Sequence, residues 1–276
     1  MPKQHLIALD LDGTLLSDSK QISSRNKQIL QKAMNEGHIV VIATGRPHRA
    51  SIQYYHELGL KTPMVNFNGA LIHHPEDKKW DMLHNPMSKR TALSIVQTCY
   101  DLDVYNVLAE VKDNVYLDKY SQEIIDIFYQ TTDDTPFVIG SLKSKLIDDP
   151  TSLLIHPKEE HIHTLRDHLD EFHAEVIEHR KWGAPWNIIE IVKKGINKAV
   201  GLRKIAHYYQ IPEDRIIAFG DEDNDLEMID YAGVGVAMGN AIDPLKNIAK
   251  HVTVTNEEHG IGVFLEEYLK LNAKVR

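Results

Sequence analysis

The sequence predicts an α/β protein, a doubly wound and mostly parallel sheet of strand order 3-2-1-4-5-6 that carries an inserted α+β domain. Three observations lead there. Short apolar runs at Leu6–Leu9, His38–Ala43 and Met64–Phe67 alternate with helical patterns across short links, which is the rhythm of a parallel layer. The same rhythm resumes after Val192 with Arg215–Phe219, Val234–Ala237 and Val252–Val254. Between these halves, helical and strand-like stretches mix without that order. The expected domains are therefore 1–84 with 193–276, a Rossmann-like core, and 85–192, an insertion.

Taken in order, Leu6–Leu9 is apolar on both faces, as a strand buried in a parallel sheet must be. Ser23 or Ser24 can cap a helix running to Glu36, with Ile29, Leu30, Ala33 and Met34 on one face and Gly37 as terminator. A second helix ends at Leu58 before Gly59. Residues 70 to 83 read as a hairpin around Pro75–Asp77. In the insertion, helices are expected at Ser88–Tyr100, Gln122–Gln130 and Glu159–Phe172. Strands are expected at Val104–Ala109, Val115–Leu117, Ser152–Ile155, Glu175–Glu178 and Ile188–Val192. Asn197 can cap a helix to Tyr209, and a final helix closes the chain.

Composition narrows the partners. With 40 acidic against 31 basic residues, a formal charge of −9 and no Lys/Arg block, neither nucleic acid nor an anionic membrane is an expected partner. The single cysteine, Cys99, excludes an intrachain disulfide and, beside Ile95 and Val96, reads as a packing thiol. No apolar stretch of signal or membrane length precedes the first strand, so the expected location is the cytoplasm. His156, His161, His163, His168 and His173 crowd one region; a polar helix face is the expectation there, and zinc the alternative. Trp182 and Trp186 read as packing residues or as an aromatic lid.

The chemistry gathers at strand ends. Asp10 and Asp12 follow the first strand, Thr44-Gly45 the second and Asp221–Asp225 the fourth, so the expected sheet order brings them to one carboxyl edge, where open α/β sheets bind ligands. Lys198, at the start of the helix before the fourth strand, can reach the same crevice. Two carboxylates at such an edge repel each other, and a metal ion between them is the simplest remedy.

The ordered sets LDLDGT, IATGR, KGINK and FGDEDND, with a large insertion between the second and third, resemble the Cof-type, class IIB members of the haloacid dehalogenase (HAD) superfamily. Val236–Ala241 resembles that subgroup again, whereas the Lys-Thr-Gly of P-type ATPases is absent after the aspartate. The resemblance implies a phosphatase that forms an aspartyl-phosphate on Asp10, with Asp12 as general acid and base. It implies Mg²⁺ held by the carboxylates of Asp10 and Asp221 and the carbonyl of Asp12, with Asp225 orienting those ligands. Phosphate would meet Leu11, Thr44, the Gly45 amide, Lys198 and Asn224. An all-oxygen ligand set suits Mg²⁺, and phosphoryl transfer asks mainly for positioning and charge neutralisation. The implied substrate is a small phosphorylated metabolite, sugar phosphates foremost and flavin mononucleotide or pyridoxal phosphate beside them, with the insertion as a cap. A phosphohexose mutase-type phosphotransferase and a non-catalytic phospholigand sensor are the alternatives. One departure is His259, where the family has Asp before the glycine.

Overall fold

Strand β1 (Leu6–Leu9) is buried along its whole length, and its full burial of Leu6, Ile7 and Leu9 contributes roughly 1.5–3 kcal/mol per side chain. The computed structural model describes residues 3–128, 137–174, 176–181 and 187–271. Ser23, whose side chain accepts the Asn26 N–H, caps α1 (Ser24–Asn35), and Gly37 in the left-handed region ends it. Strand β2 (Ile39–Ile42) leads to α2 (His48–Leu58) and then to β3 (Met64–Asn66). Strands β4 (Leu71–His73) and β5 (Leu83–His84) follow β3 in a separate three-stranded sheet.

The chain divides into two units, and the insertion forms the second: His84–Ile196 together with Pro47–Ala50. The first unit is Met1–Arg46, Ser51–Leu83 and Asn197–Arg276. These bounds differ from the expected 85–192 by a few residues and by the early segment. Arg49 explains that segment, because its buried guanidinium pairs with buried Glu110, whose other oxygen accepts Ser152 Oγ at 3.0 Å.

In chain order the second unit holds α3 (Lys89–Asp101), β6 (Asn106–Val111), β7 (Asn114–Leu117), α4 (Gln122–Phe128) and β8 (Phe137–Ile139). It continues with α5 (Leu142–Lys145), β9 (Ser152–His156), α6 (Ile162–His173), β10 (Ile177–Lys181) and β11 (Ile189–Lys193). Six strands form a mixed sheet, β10-β11-β9-β6-β7-β8. Its core includes Ile95, Val96, Leu153, Ile155, Leu165 and Ile191, together with Cys99, whose thiol is pushed up by burial. β8 and α5 were not expected from the sequence: three and four residues are too few to display a period.

The return to the first unit is α7 (Lys198–Tyr208), capped by Asn197, which accepts the Val200 N–H. Then come β12 (Ile216–Gly220), α8 (Leu226–Tyr231), β13 (Val234–Ala237), α9 (Asp243–Ile248), β14 (His251–Val252) and α10 (Gly260–Tyr268). The main sheet is parallel and runs β14-β13-β12-β1-β2. β3 meets β2 through one bridge, Ala43 to Val65, and through the Thr44 N–H donated to the Val65 carbonyl at 2.9 Å. β1 thus lies between β2 and β12, and the order in which the chain adds parallel strands reverses between β1 and β12. α10 packs on α1, where Gly262 donates its N–H to buried Asn26 at 2.8 Å. Among the described residues no helix is long and apolar enough to cross a membrane.

Candidate active site

Parallel pairing of Leu9 with Phe219 sets the residues that follow each strand, Asp10 and Asp221, side by side at the carboxyl edge. The turn after Asp10 must then pass very close to Asp221. Gly13 makes this passage, with φ +72°, and a Cβ there would lie 2.2 Å from Asp221 Oδ2. Buried Thr14, next in the chain, donates its hydroxyl to Asp221 Oδ1 at 2.7 Å. Two asparagines brace the turn from behind: Asn240 Nδ2 donates to the Gly13 carbonyl at 2.8 Å and Asn256 Nδ2 to the Leu16 carbonyl at 3.0 Å. His259 adopts the left-handed conformation at the start of α10, which His tolerates better than most residues.

Lys198 is wholly buried, and its Nζ lies 2.6 Å from Asp10 Oδ1 and 2.7 Å from Asp225 Oδ1. Asp225 has no oxygen to spare, because its Oδ2 accepts the N–H groups of Asp221 at 2.9 Å and Glu222 at 3.2 Å. It orients Lys198 and the Asp221 loop. Burial pushes Asp10 well above the usual carboxylate range; Lys198 opposes the shift, while Asp225 and Asp221 add to it. Asp221 is pushed up to about 7, again by burial first, with the Thr14 hydrogen bond opposing and Asp225 adding. Lys198 itself is held protonated by the two carboxylates against its own burial.

Burial is the first cause of both carboxyl shifts, and the excess of three buried carboxylates over one ammonium adds to it. Carboxylate oxygens of Asp10, Asp221 and Asp225 lie within 4.8 Å of one another, the only such gathering of potential ligands among the described residues. Asp10 and Asp221 each keep one oxygen without a hydrogen bond among the described residues. Hard oxygen donors short of positive charge fit a hard divalent cation such as Mg²⁺.

Asp12 lies apart from that cluster. Its carboxylate receives Arg46 in bidentate fashion, Nε at 2.6 Å and Nη2 at 2.7 Å, and Lys20 Nζ at 2.6 Å. Despite burial, these partners hold its carboxyl down at about 2. Thr44 is buried, and its hydroxyl accepts the Arg46 N–H at 3.1 Å, which leaves the hydroxyl proton to donate elsewhere. Asn66 Nδ2 fixes the Arg46 carbonyl at 2.9 Å. Leu11 buries its side chain and can offer only its backbone amide. Asn224 donates its Nδ2 to Asn68 Oδ1 at 3.0 Å, beside Gly45.

The structure therefore gathers Asp10, Asp221, Asp225 and Lys198 in direct contact, with Thr44, Gly45 and Asn224 held by their own neighbours and Asp12 turned to Arg46. Sequence reasoning gave no role to Thr14, Lys20, Arg46 or Asn68. Thr14 and Arg46 sit inside the motifs themselves, which was the available signal; Lys20 and Asn68 offered none. Of the histidines in the second unit, His168 Nε2 lies 3.0 Å from Thr98 Oγ1, and its ring packs against Phe172. Trp182 and Trp186 lie outside the described residues.

The family model of haloacid dehalogenase-like hydrolases matches residues 7–265. A Bacillus subtilis (strain 168) protein named 5-amino-6-(5-phospho-D-ribitylamino)uracil phosphatase YitU is 52% identical over 269 residues, covering 98% of this chain and 99% of its own. Among solved structures, TM0651 from Thermotoga maritima superposes with a TM-score of 0.82 at 28% identity, over 96% of this chain and 97% of that one. The HAD subclass IIB sugar phosphatase BT4131 shares the fold, with a TM-score of 0.78 at 23% identity over 97% of this chain and all of its own.

Proposed function

The chain belongs to the haloacid dehalogenase-like hydrolases, and from that premise we propose that this phosphatase hydrolyses 5-amino-6-(5-phospho-D-ribitylamino)uracil through a phosphoryl-enzyme on Asp10, with Mg²⁺ bound. The observation that carries the mechanism is the buried contact of Asp10 with Lys198, beside Asp221, at the ends of β1 and β12. The substrate is carried over from the relative that is 52% identical along nearly its whole length. Its name describes a phosphomonoester on a ribityl chain, which refines the broader expectation of a sugar phosphate.

Asp10 attacks phosphorus with one carboxylate oxygen, and the bond to the ester oxygen breaks. Lys198, ammonium throughout, holds the other Asp10 oxygen and so fixes the line of attack. Thr44 Oγ1, the amides of Leu11 and Gly45, and Asn224 receive the non-bridging oxygens. The carboxylates of Asp10 and Asp221 and the Asp12 carbonyl would hold Mg²⁺, which when bound would supply positive charge against the phosphoryl oxygens. Asp12 gives a proton to the leaving alkoxide, then takes one from the water that attacks the acyl phosphate, releasing inorganic phosphate and restoring Asp10. With Arg46 and Lys20 on it, Asp12 is a base. The acid step therefore requires the carboxylate first to part from Arg46 and take up a proton from solvent, and only then to meet the leaving-group oxygen.

The test is phosphate release from this compound, hexose phosphates, flavin mononucleotide and pyridoxal phosphate, with and without Mg²⁺, by wild type and Asp10→Asn. Metal-dependent release, best with the ribityl phosphate and lost in the variant, is the expected result. Equal release by Asp10→Asn refutes the nucleophile; an isomeric sugar phosphate in place of inorganic phosphate makes the enzyme a mutase.

A further inference from the structure

Between β3 and β4 the chain makes a turn that no motif accounts for. Phe67, Asn68 and Gly69 have φ values of +50°, +51° and +100°, three left-handed residues in succession, two of them not glycine. Only glycine adopts this region freely, so the side chain at 68 is kept at a cost in backbone energy. The turn also touches three parts of the site at once. The Asn68 N–H donates to the Thr44 carbonyl at 3.1 Å. A Cβ on Gly69 would lie 2.2 Å from the carbonyl of Asn197, the residue before Lys198. Asn68 Oδ1 accepts Asn224 Nδ2 at 3.0 Å.

The Asn68 amide is only 6% exposed as part of its residue and sits against Gly45, where a Cβ would meet Oδ1 at 3.1 Å and Nδ2 at 3.2 Å. With Oδ1 engaged by Asn224, the amide plane is fixed, and Nδ2 has no acceptor among the described residues. Asn68 is thus a buried residue whose amide donor stands open beside the Gly45 backbone with no protein acceptor among the described residues, and a phosphoryl oxygen bound at Gly45 can take that place. The geometry points to Asn68 as a further donor to the transferred phosphoryl group, with Asn224 setting its orientation. This rests on the phosphatase reading and adds a residue to its phosphate site. It also changes the part played by Asn224, which acts on phosphate in company with Asn68.

Two variants separate binding from scaffolding. Asn68→Asp is isosteric and keeps an acceptor for Asn224 Nδ2, but it replaces the donor with an anion. Asn68→Gly relieves the left-handed backbone and deletes the amide. The measurement is calorimetric binding of inorganic phosphate to the Mg²⁺-loaded protein, with the thermal midpoint recorded in parallel. Expected are about tenfold weaker phosphate binding in Asn68→Gly at an unchanged or higher midpoint, and a larger loss, above about 30-fold, in Asn68→Asp. Wild-type phosphate affinity in Asn68→Asp would overturn the assignment, as would a loss in Asn68→Gly matched by a fall in its midpoint, or wild type that binds no phosphate. Because phosphate binding is read without turnover, failure of the hydrolytic reading appears separately, as wild type that binds phosphate yet releases none from esters.

Discussion

Replacing Lys198 by Met keeps the length and bulk of the side chain and deletes its charge, which leaves Asp10 and Asp225 without the ammonium that lies 2.6 and 2.7 Å away. At an effective dielectric near 20, each contact is worth roughly 6 kcal/mol of attraction, most of it offset by the burial of three charged groups. Two routes bound the net effect. Breaking a buried pair costs about 3–5 kcal/mol. Alternatively a stranded carboxylate takes up a proton, which at pH 7 and an ordinary pKa of about 3.9 costs about 4 kcal/mol and at pH 5 about 1.5 kcal/mol. Both give a loss of about 4 kcal/mol at pH 7. The sign follows from proton uptake: in the variant the folded state binds a proton that the unfolded chain does not, so its stability falls as pH rises above about 4. Urea denaturation followed by circular dichroism, without metal, at pH 7 and pH 5, measures both numbers. A loss below 1 kcal/mol at pH 7, or a loss equal at the two pH values, would refute the picture of Lys198 as the counter-ion of the buried trio. Turnover of Lys198→Met is expected to fall by at least about 10²-fold.

Thr14→Val removes a hydrogen bond to a carboxylate worth about 1.5–3 kcal/mol, so half-saturation by Mg²⁺ should move up about 10- to 100-fold at pH 7. Because Asp221 already titrates near 7 and moves higher in the variant, metal activation should need a higher pH; an unchanged metal titration counts against Asp221 as a ligand. Gly13→Ala forces alanine to φ +72° at about 1–2 kcal/mol and drives a methyl into Asp221, so a lowered thermal midpoint and weakened metal activation should appear together. Arg46→Ala frees Asp12 from the group that holds it down at about 2. Its pKa returns toward about 3.9, so the acid limb of kcat, which includes the step in which Asp12 takes a proton from water, should move to higher pH by up to about 2 units. A profile identical to wild type would remove Asp12 as the proton acceptor.

The sheet and the buried cluster of Asp10, Asp221 and Lys198 were legible because both are written locally. Leu6–Leu9 before Asp10 and Ile216–Gly220 before Asp221 are apolar runs that stop at a carboxylate, and parallel pairing turns sequence position into adjacency. Asn197 is likewise a local capping signal that delivers Lys198. What stayed hidden depends on partners far along the chain. Nothing around Arg46 announces that its guanidinium turns back to Asp12, and the strained turn at Asn68 has no composition that separates it from an ordinary Asn-Gly turn. In the second unit, β8 and α5 are too short to carry a period, and Arg49 joins that unit through a glutamate 61 residues away.

Thr14 and Asp221, bonded in the native site, stand 207 residues apart in the chain. At synthesis rates of about 5–20 residues per second, roughly 10–40 s separate their emergence from the ribosome. During that interval β1 has β2 beside it, but the edge that will receive β12 is open and apolar. Such an edge is a template for pairing with another nascent chain. The six-stranded sheet of the insertion is synthesised whole within the same interval, so it can fold while the first unit waits for its other half. A ribosome-bound chain is therefore catalytically silent and prone to association until its last quarter appears, and chaperone demand should concentrate in that window.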